Sequence, residues 1–241
     1  MKFNDEHIAQ LDAIVETKAR DATGDLVLST NGWVGSACRS WAESVSGLPQ
    51  LGLPVARQNR VDLRELVQSG TLTDDEVHLA VMAWGGQRRD HGRDTWSSIA
   101  ELRPVIREIR EGRCDRRAGY ERFHSLTTVE AERVKGMGPA YYTKLLFFLP
   151  RETPGLIMDQ WTAKSMQLLV ARKGPAPVIA LSHAGFVTRD NTVGVYDQFC
   201  EFIAALGARY GVSDGNAEEL IFAGSKQTWR AYVKAQWSRN T

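Results

Sequence analysis

Cysteine is scarce in this chain of 241 residues: only Cys38, Cys114 and Cys200 are present, far apart. Three scattered thiols exclude a disulfide framework and lack metal-ligand spacing. They are expected to remain unpaired in a reducing compartment, the cytoplasm, with no metal and no other cofactor. Long apolar runs are missing too. None approaches the roughly 20 residues that cross a bilayer, so no membrane partner is expected. The opening stretch "MKFNDEHIAQLDAIVE" is polar and amphipathic, without the apolar core of a signal peptide. Nor does either sign of charge dominate: 30 basic and 29 acidic residues leave a formal net charge of +1. A near-neutral total neither requires nor excludes nucleic acid, because a basic face can sit inside it. There is no internal repeat and no low-complexity tract.

What is present is ordinary for a globular chain: 43% hydrophobic and 24% charged residues. The length suits one large domain or two modest lobes sharing a core. The periodicity is mostly helical. Ile8, Leu11, Ile14 and Val15 share a face, as do Val77, Val81 and Trp84 after the cap candidate Asp74. Trp96, Ile99 and Leu102 follow a second cap candidate, Asp94, and Pro104 is expected to kink or split that helix. Val129 and Val134 mark a short helix. Residues 139 to 149 form another, with Pro139 in its first turn, where a missing N–H costs nothing. Residues 159 to 170 read as a helix opened by Asp159. Tyr196 to Leu206, Leu220 to Phe222 and Trp229 to Val233 carry the last three. The Gly/Pro-rich stretches 46 to 60 and 172 to 194 read as irregular, with "PVIAL" as a short strand. The class is mainly α.

The stretch "VKGMGPAYYTK" carries the first chemistry. A short helix, a Gly-x-Gly turn and a second helix make a helix-hairpin-helix. Gly136 and Gly138 let backbone approach a ligand closely. The amides around Met137 and Gly138 open a helix N-terminus, which favours an anion such as a DNA phosphate. Lys135 adds positive charge beside the turn. The other reading is an ordinary glycine helix stop followed by a proline start. Downstream, "LIMDQWTAK" places Asp159 at the head of the next helix. Asp159 reads either as a plain N-cap or as a carboxylate that stabilises a sugar cation when a glycosidic bond breaks.

Taken together, "VKGMGPAYYTKLLFFLP" and "LIMDQWTAKSM" resemble the core of the helix-hairpin-helix base-excision DNA glycosylases. The resemblance is clearest from Thr127 to Met166 and fainter over "NAEELIFAGSKQTWRAY", which is similar to the C-terminal segment of the 8-oxoguanine-removing members. It implies a two-lobed helix-hairpin-helix DNA glycosylase fold. Residues 73 to 170 would form the hairpin lobe, residues 1 to 72 with 171 to 241 the second, and the whole chain one catalytic unit. It implies double-stranded DNA containing a modified base as partner, and a monomer is expected. Asp159 becomes the catalytic carboxylate; Lys135, Gly136, Met137, Gly138 and Lys164 become DNA contacts. Trp33, Trp161, Glu218 and Phe222 become candidates for the base pocket.

One departure matters. Strand-cutting members of that family carry a lysine two residues past the second hairpin glycine; here that residue is Ala140, with Asp159 nineteen residues further on. Lys144 lies one helical turn along the same face, roughly 5 Å away, and is the one substitute nucleophile. The expected enzyme is therefore monofunctional, with water attacking the sugar. The substrate by resemblance is 8-oxoguanine. Two alternatives stay open: an anti-phage glycosylase excising a hypermodified base such as glucosylated hydroxymethylcytosine, and a non-catalytic helix-hairpin-helix DNA-binding protein. Seven arginines between Arg103 and Arg122 alternate with acids and read as a solvated mixed-charge face. "GGQRRDHGRD" reads as a polar loop that reaches toward DNA.

Overall fold

The computed structural model describes residues 1–28, 33–128, 134–171, 178–222 and 229–238. Among them the protein is all helix: α1 (Asp5–Glu16), α2 (Cys38–Ser46), α3 (Arg60–Gln68), α4 (Asp74–Trp84), α5 (Arg89–Trp96), α6 (Ile99–Arg110), α7 (Arg116–Thr128), α8 (Pro139–Phe148), α9 (Gln160–Leu169), α10 (Val193–Tyr210), α11 (Asp214–Phe222) and α12 (Trp229–Trp237). The mainly α class is as expected. Extended pairing among the described residues is limited to the isolated bridges Phe3–Val170, Arg20–Leu26 and Leu181–Val187. The last of these is all that becomes of the "PVIAL" strand, whose Pro177 lies outside the described residues.

The chain divides into two compact units. One comprises Trp33–Ile157; the other joins Met1–Gly32 to Met158–Thr241. These bounds differ from the expected lobes in two places, and side chains explain both. Residues 33 to 72 belong with the hairpin because the Trp41 Nε1 donates to Gln87 O at 2.9 Å and Arg64 donates to Phe147 O at 3.1 Å. Arg60 also stacks over the Phe147 ring at 3.9 Å. The helix opened by Asp159 belongs with the termini. Asn4 N donates to Leu169 O at 2.7 Å, and Trp229 Nε1 donates to Ser165 Oγ at 2.8 Å.

Within the Trp33–Ile157 unit, α4 is the buried axis: every residue from Val77 to Trp84 is buried. Its cap is Thr73 rather than Asp74. The Thr73 hydroxyl accepts from Glu76 N while Glu76 accepts from Thr73 N, a reciprocal box that satisfies two otherwise orphaned N–H groups. Asp74 instead holds Arg110 and Arg107, and Asp75 holds Arg103. Glu111 pairs Arg113, and Glu108 pairs Arg122. The arginine-rich stretch is thus paired partly with its own acids and partly with those that open α4.

Asp94 caps nothing. "RRDHGRDTW" is itself mostly helix, α5, and α6 begins after Ser98. Pro104 sits inside α6, where Ile99, Leu102, Val105, Ile106 and Ile109 bury one face and outweigh one lost backbone hydrogen bond. Two further helices, α2 and α3, flank the Gly/Pro-rich stretch 46 to 60, which is irregular between them. The helix expected from Val129 lies, up to residue 133, outside the described residues.

In the unit that joins the termini, α10 is the long apolar helix, burying Tyr196, Phe199, Phe202, Ile203 and Leu206. Helix α11 packs against α10, and α9, α11 and α12 meet at Ser165, whose hydroxyl also lies 3.4 Å from Ile221 O.

Candidate active site

The hairpin turn gives its two glycines different work. Gly136 has φ +72°, the left-handed region that penalises a side chain. A Cβ there would also lie 2.2 Å from the His91 carbonyl oxygen. Gly136 is therefore required for packing against α5. The turn is braced from that side: Gln87 Nε2 donates to Gly136 O at 2.9 Å, and Thr95 Oγ1 lies 3.0 Å from Lys135 O. Met137 is buried and anchors the turn. Gly138 differs: its backbone is extended, and a Cβ would meet nothing within 4 Å. Its own N–H and that of Ala140 make no hydrogen bond among the described residues. They open α8, where Pro139 stands at N1. Lys135 is exposed beside them.

Lys144 is not at the surface. It is 4% exposed, and its ammonium donates to Ala140 O, the carbonyl one turn back on α8. Its stem lies against Gly85: a Cβ on Gly85 would stand 2.8 Å from Lys144 Cδ. Trp33 meets the next residue of the same turn. Its indole lies over Gly86, its Nε1 donates to Trp84 O, and 45% of it is exposed. The Gly85–Gly86 turn after α4 thus gathers Trp33 and Lys144 in the unit that holds the hairpin.

Asp159 stands in the other unit. It caps α9: Oδ1 accepts from Trp161 N at 2.7 Å and from Thr162 N at 3.2 Å. Thr162 Oγ1 returns the bond by accepting from Asp159 N at 3.0 Å. Only 8% of the residue is exposed, yet Oδ2 takes no hydrogen bond from the described residues. Both readings of this aspartate are compatible with its geometry, since one oxygen holds the helix and one is spare.

Trp161 and Lys164 follow on α9. The Lys164 ammonium lies 5.0 Å from the Trp161 ring centre and 5.2 Å from that of Trp237. Arg230, from α12, stacks on Trp161 at 4.1 Å and lies 5.8 Å from the Phe222 ring. Phe222 is half-buried, whereas Glu218, one turn earlier on α11, is fully buried. Burial, with the charge of Arg230, holds the Lys164 ammonium below its usual pKa, against the opposing pull of Asp159. Burial likewise lowers that of Arg230, again opposed by Asp159.

The structure thus groups Asp159, Trp161, Lys164 and Phe222 in one unit and Lys135, Gly136, Met137, Gly138, Lys144 and Trp33 in the other. Sequence reasoning missed Gln87 and Thr95, which brace the hairpin, and Arg230 and Trp237, which complete the aromatic–cation cluster. No local pattern marks them, because each acts through a contact with a residue distant in the chain.

The class of this protein is that of the DNA glycosylase-like proteins. A model of the family described as "Putative 8-oxoguanine DNA glycosylase OGG-like protein" matches residues 29–222, most of the chain. The protein belongs to this OGG-like family. No curated protein and no solved structure matches it. No helix among the described residues is long and apolar enough to cross a membrane.

Proposed function

We propose that this protein is a monofunctional DNA N-glycosylase that hydrolyses the bond between the sugar and an extruded, modified base in double-stranded DNA. The observation that carries the reading is the spare oxygen of Asp159, fixed by a capping carboxylate that is almost sealed from water. When the C1′–N bond breaks, its electron pair leaves with the base and positive charge grows on the sugar. A preorganised carboxylate stabilises that charge without reorganising at the moment of reaction. Water then adds at C1′ and gives a proton to Oδ2, from which it passes to the departing base and restores the carboxylate. The products are the free base and an intact strand with an abasic site.

The hairpin supplies the grip. The open Gly138, the N–H groups of Gly138 and Ala140, and the exposed Lys135 suit one phosphodiester at the head of α8. Such contacts position DNA without reading its sequence. Extrusion exposes the base for chemistry, and in the Asp159 unit Phe222 supplies an aromatic face on which a base can stack, with Glu218 one turn away as a polar group. Water is the nucleophile because Ala140 has no amine and the Lys144 ammonium is bound to Ala140 O. Family membership favours 8-oxoguanine as the base, with repair as the setting.

The test is product identification. Duplexes carrying 8-oxoguanine, and DNA rich in hypermodified cytosines, are incubated with the protein, and released bases are identified by mass spectrometry. Release of 8-oxoguanine by the native chain and not by Asp159→Asn is the expected result. Release of a bulky modified base alone would transfer the activity to defence against phage. DNA binding with no base released from any substrate would reduce the protein to a binding module.

A further inference from the structure

We infer that Lys164 and Arg230, held on the two indoles of Trp161 and Trp237, form a phosphodiester clamp for the DNA strand beside Asp159. The inference rests on the glycosylase reading above. It is built from charge and packing. Two cations, Lys164 and Arg230, share this corner of the unit with the carboxylate of Asp159. Neither cation has a hydrogen bond or an ion pair with any described residue; both rest on aromatic faces. Those faces hold a cation by roughly 0.5–2 kcal/mol but carry no charge to cancel it.

The ammonium is also confined: a Cβ on Gly185 would lie 2.6 Å from Lys164 Nζ, so this glycine packs directly against the end of the side chain. Both side chains are substantially withdrawn from water, which depresses the pKa of each. A fold that buries cations next to a carboxylate without pairing them has room for an anion from outside. A flexible lysine and a planar arginine suit the oxygens of one phosphate.

The identity of the anion follows from the chemistry of the neighbour. Asp159 serves a sugar, and every such sugar in a strand is flanked by phosphodiesters. The charge on Lys164 and Arg230 would oppose the developing positive charge that Asp159 must stabilise. A phosphate seated on them removes that opposition as the substrate binds. The clamp joins Lys164, inside the family-matched span of residues 29–222, to Arg230, past its end.

The test neutralises phosphates one at a time, on the DNA side, so that the protein is unchanged. A duplex containing a tetrahydrofuran abasic analogue is made with single methylphosphonates at successive positions around the analogue. Affinities are measured by anisotropy at fixed salt for the native chain and for Arg230→Gln, with melting curves to show that the variant is folded. At one position, or two adjacent ones, the neutral linkage should weaken native binding about tenfold, and this loss should vanish in Arg230→Gln. The salt dependence of binding should also fall by about one phosphate contact in that variant. A scan in which Arg230→Gln changes affinity equally at every position, or not at all, overturns the clamp and leaves the glycosylase reading standing. A native protein that binds no duplex overturns both.

Discussion

Each unit buries one lysine among its candidate site residues, and the two are treated in opposite ways. Lys144, in the hairpin unit, turns its ammonium back onto Ala140 O of its own helix. Lys164, in the Asp159 unit, is left on indole faces with no hydrogen bond or ion pair among the described residues. A buried charge needs a partner or it costs several kcal/mol. Lys144 has its partner inside the fold, whereas the partner of Lys164 is still to arrive. The glycines of the hairpin divide in the same manner. Gly136 is committed to packing, and Gly138 faces open space. Groups that the fold has already satisfied serve stability; groups it leaves unsatisfied are where a ligand gains most.

The sharpest way to break this comparison is at Asp159, which caps α9 and which we propose also stabilises the sugar cation. Asp159→Asn keeps a capping oxygen, so α9 should persist, while the charge is lost. Base release under single-turnover conditions should fall about a hundredfold or more, with DNA affinity within a few-fold of native. Release within a few-fold of native would remove Asp159 from the chemistry.

The two glycines come next. Gly136→Ala forces a side chain into left-handed backbone and against the His91 carbonyl, and should destabilise the protein by about 2 kcal/mol or more. Gly138→Leu should leave the melting temperature unchanged and weaken DNA binding about tenfold at fixed salt, by blocking the approach of a phosphate. Equal melting temperatures for both variants would erase the distinction.

Acid should expose another burial without a partner, in the hairpin unit. His78 is sealed inside α4, its Nδ1 has no hydrogen-bond partner, and burial pushes its pKa down to about 4. The folded value lies below the unfolded one, so the unfolded chain binds the proton first. Stability is full above pH about 6.5 and falls as pH drops toward about 4, by up to about 3 kcal/mol. A melting series across that window should slope less in His78→Leu. Parallel slopes would show that other groups control the acid transition.

The smallest expected signal is an absence. Borohydride should trap no protein–DNA imine, because no free amine occupies position 140 and Lys144 is engaged. An adduct that disappears in Lys144→Gln, or in Lys164→Gln, would identify a lysine nucleophile and make the enzyme a strand-cutting one.

Local chemistry along the chain was enough for the helical class, for α8 with Pro139 at its first position, and for Asp159 at the head of α9. Those features depend on near neighbours: a proline where no N–H is needed, an aspartate whose oxygen meets amides two and three residues on. The same reasoning failed where a competing neighbour did the work. Thr73 took the cap expected of Asp74 because Asp74 was drawn to Arg110, a partner 36 residues away. α2 and α3 went unread because each is 9 residues long, too short to display a clear apolar repeat before the chain turns irregular. Only the tertiary structure decided which glycine of the hairpin is spare, which lysine is satisfied, and that Arg230 stacks on Trp161. Each is a question of what lies across a gap of many residues. A chain records its backbone preferences locally; whether a buried charge or an open backbone has found its partner is settled only when distant segments meet.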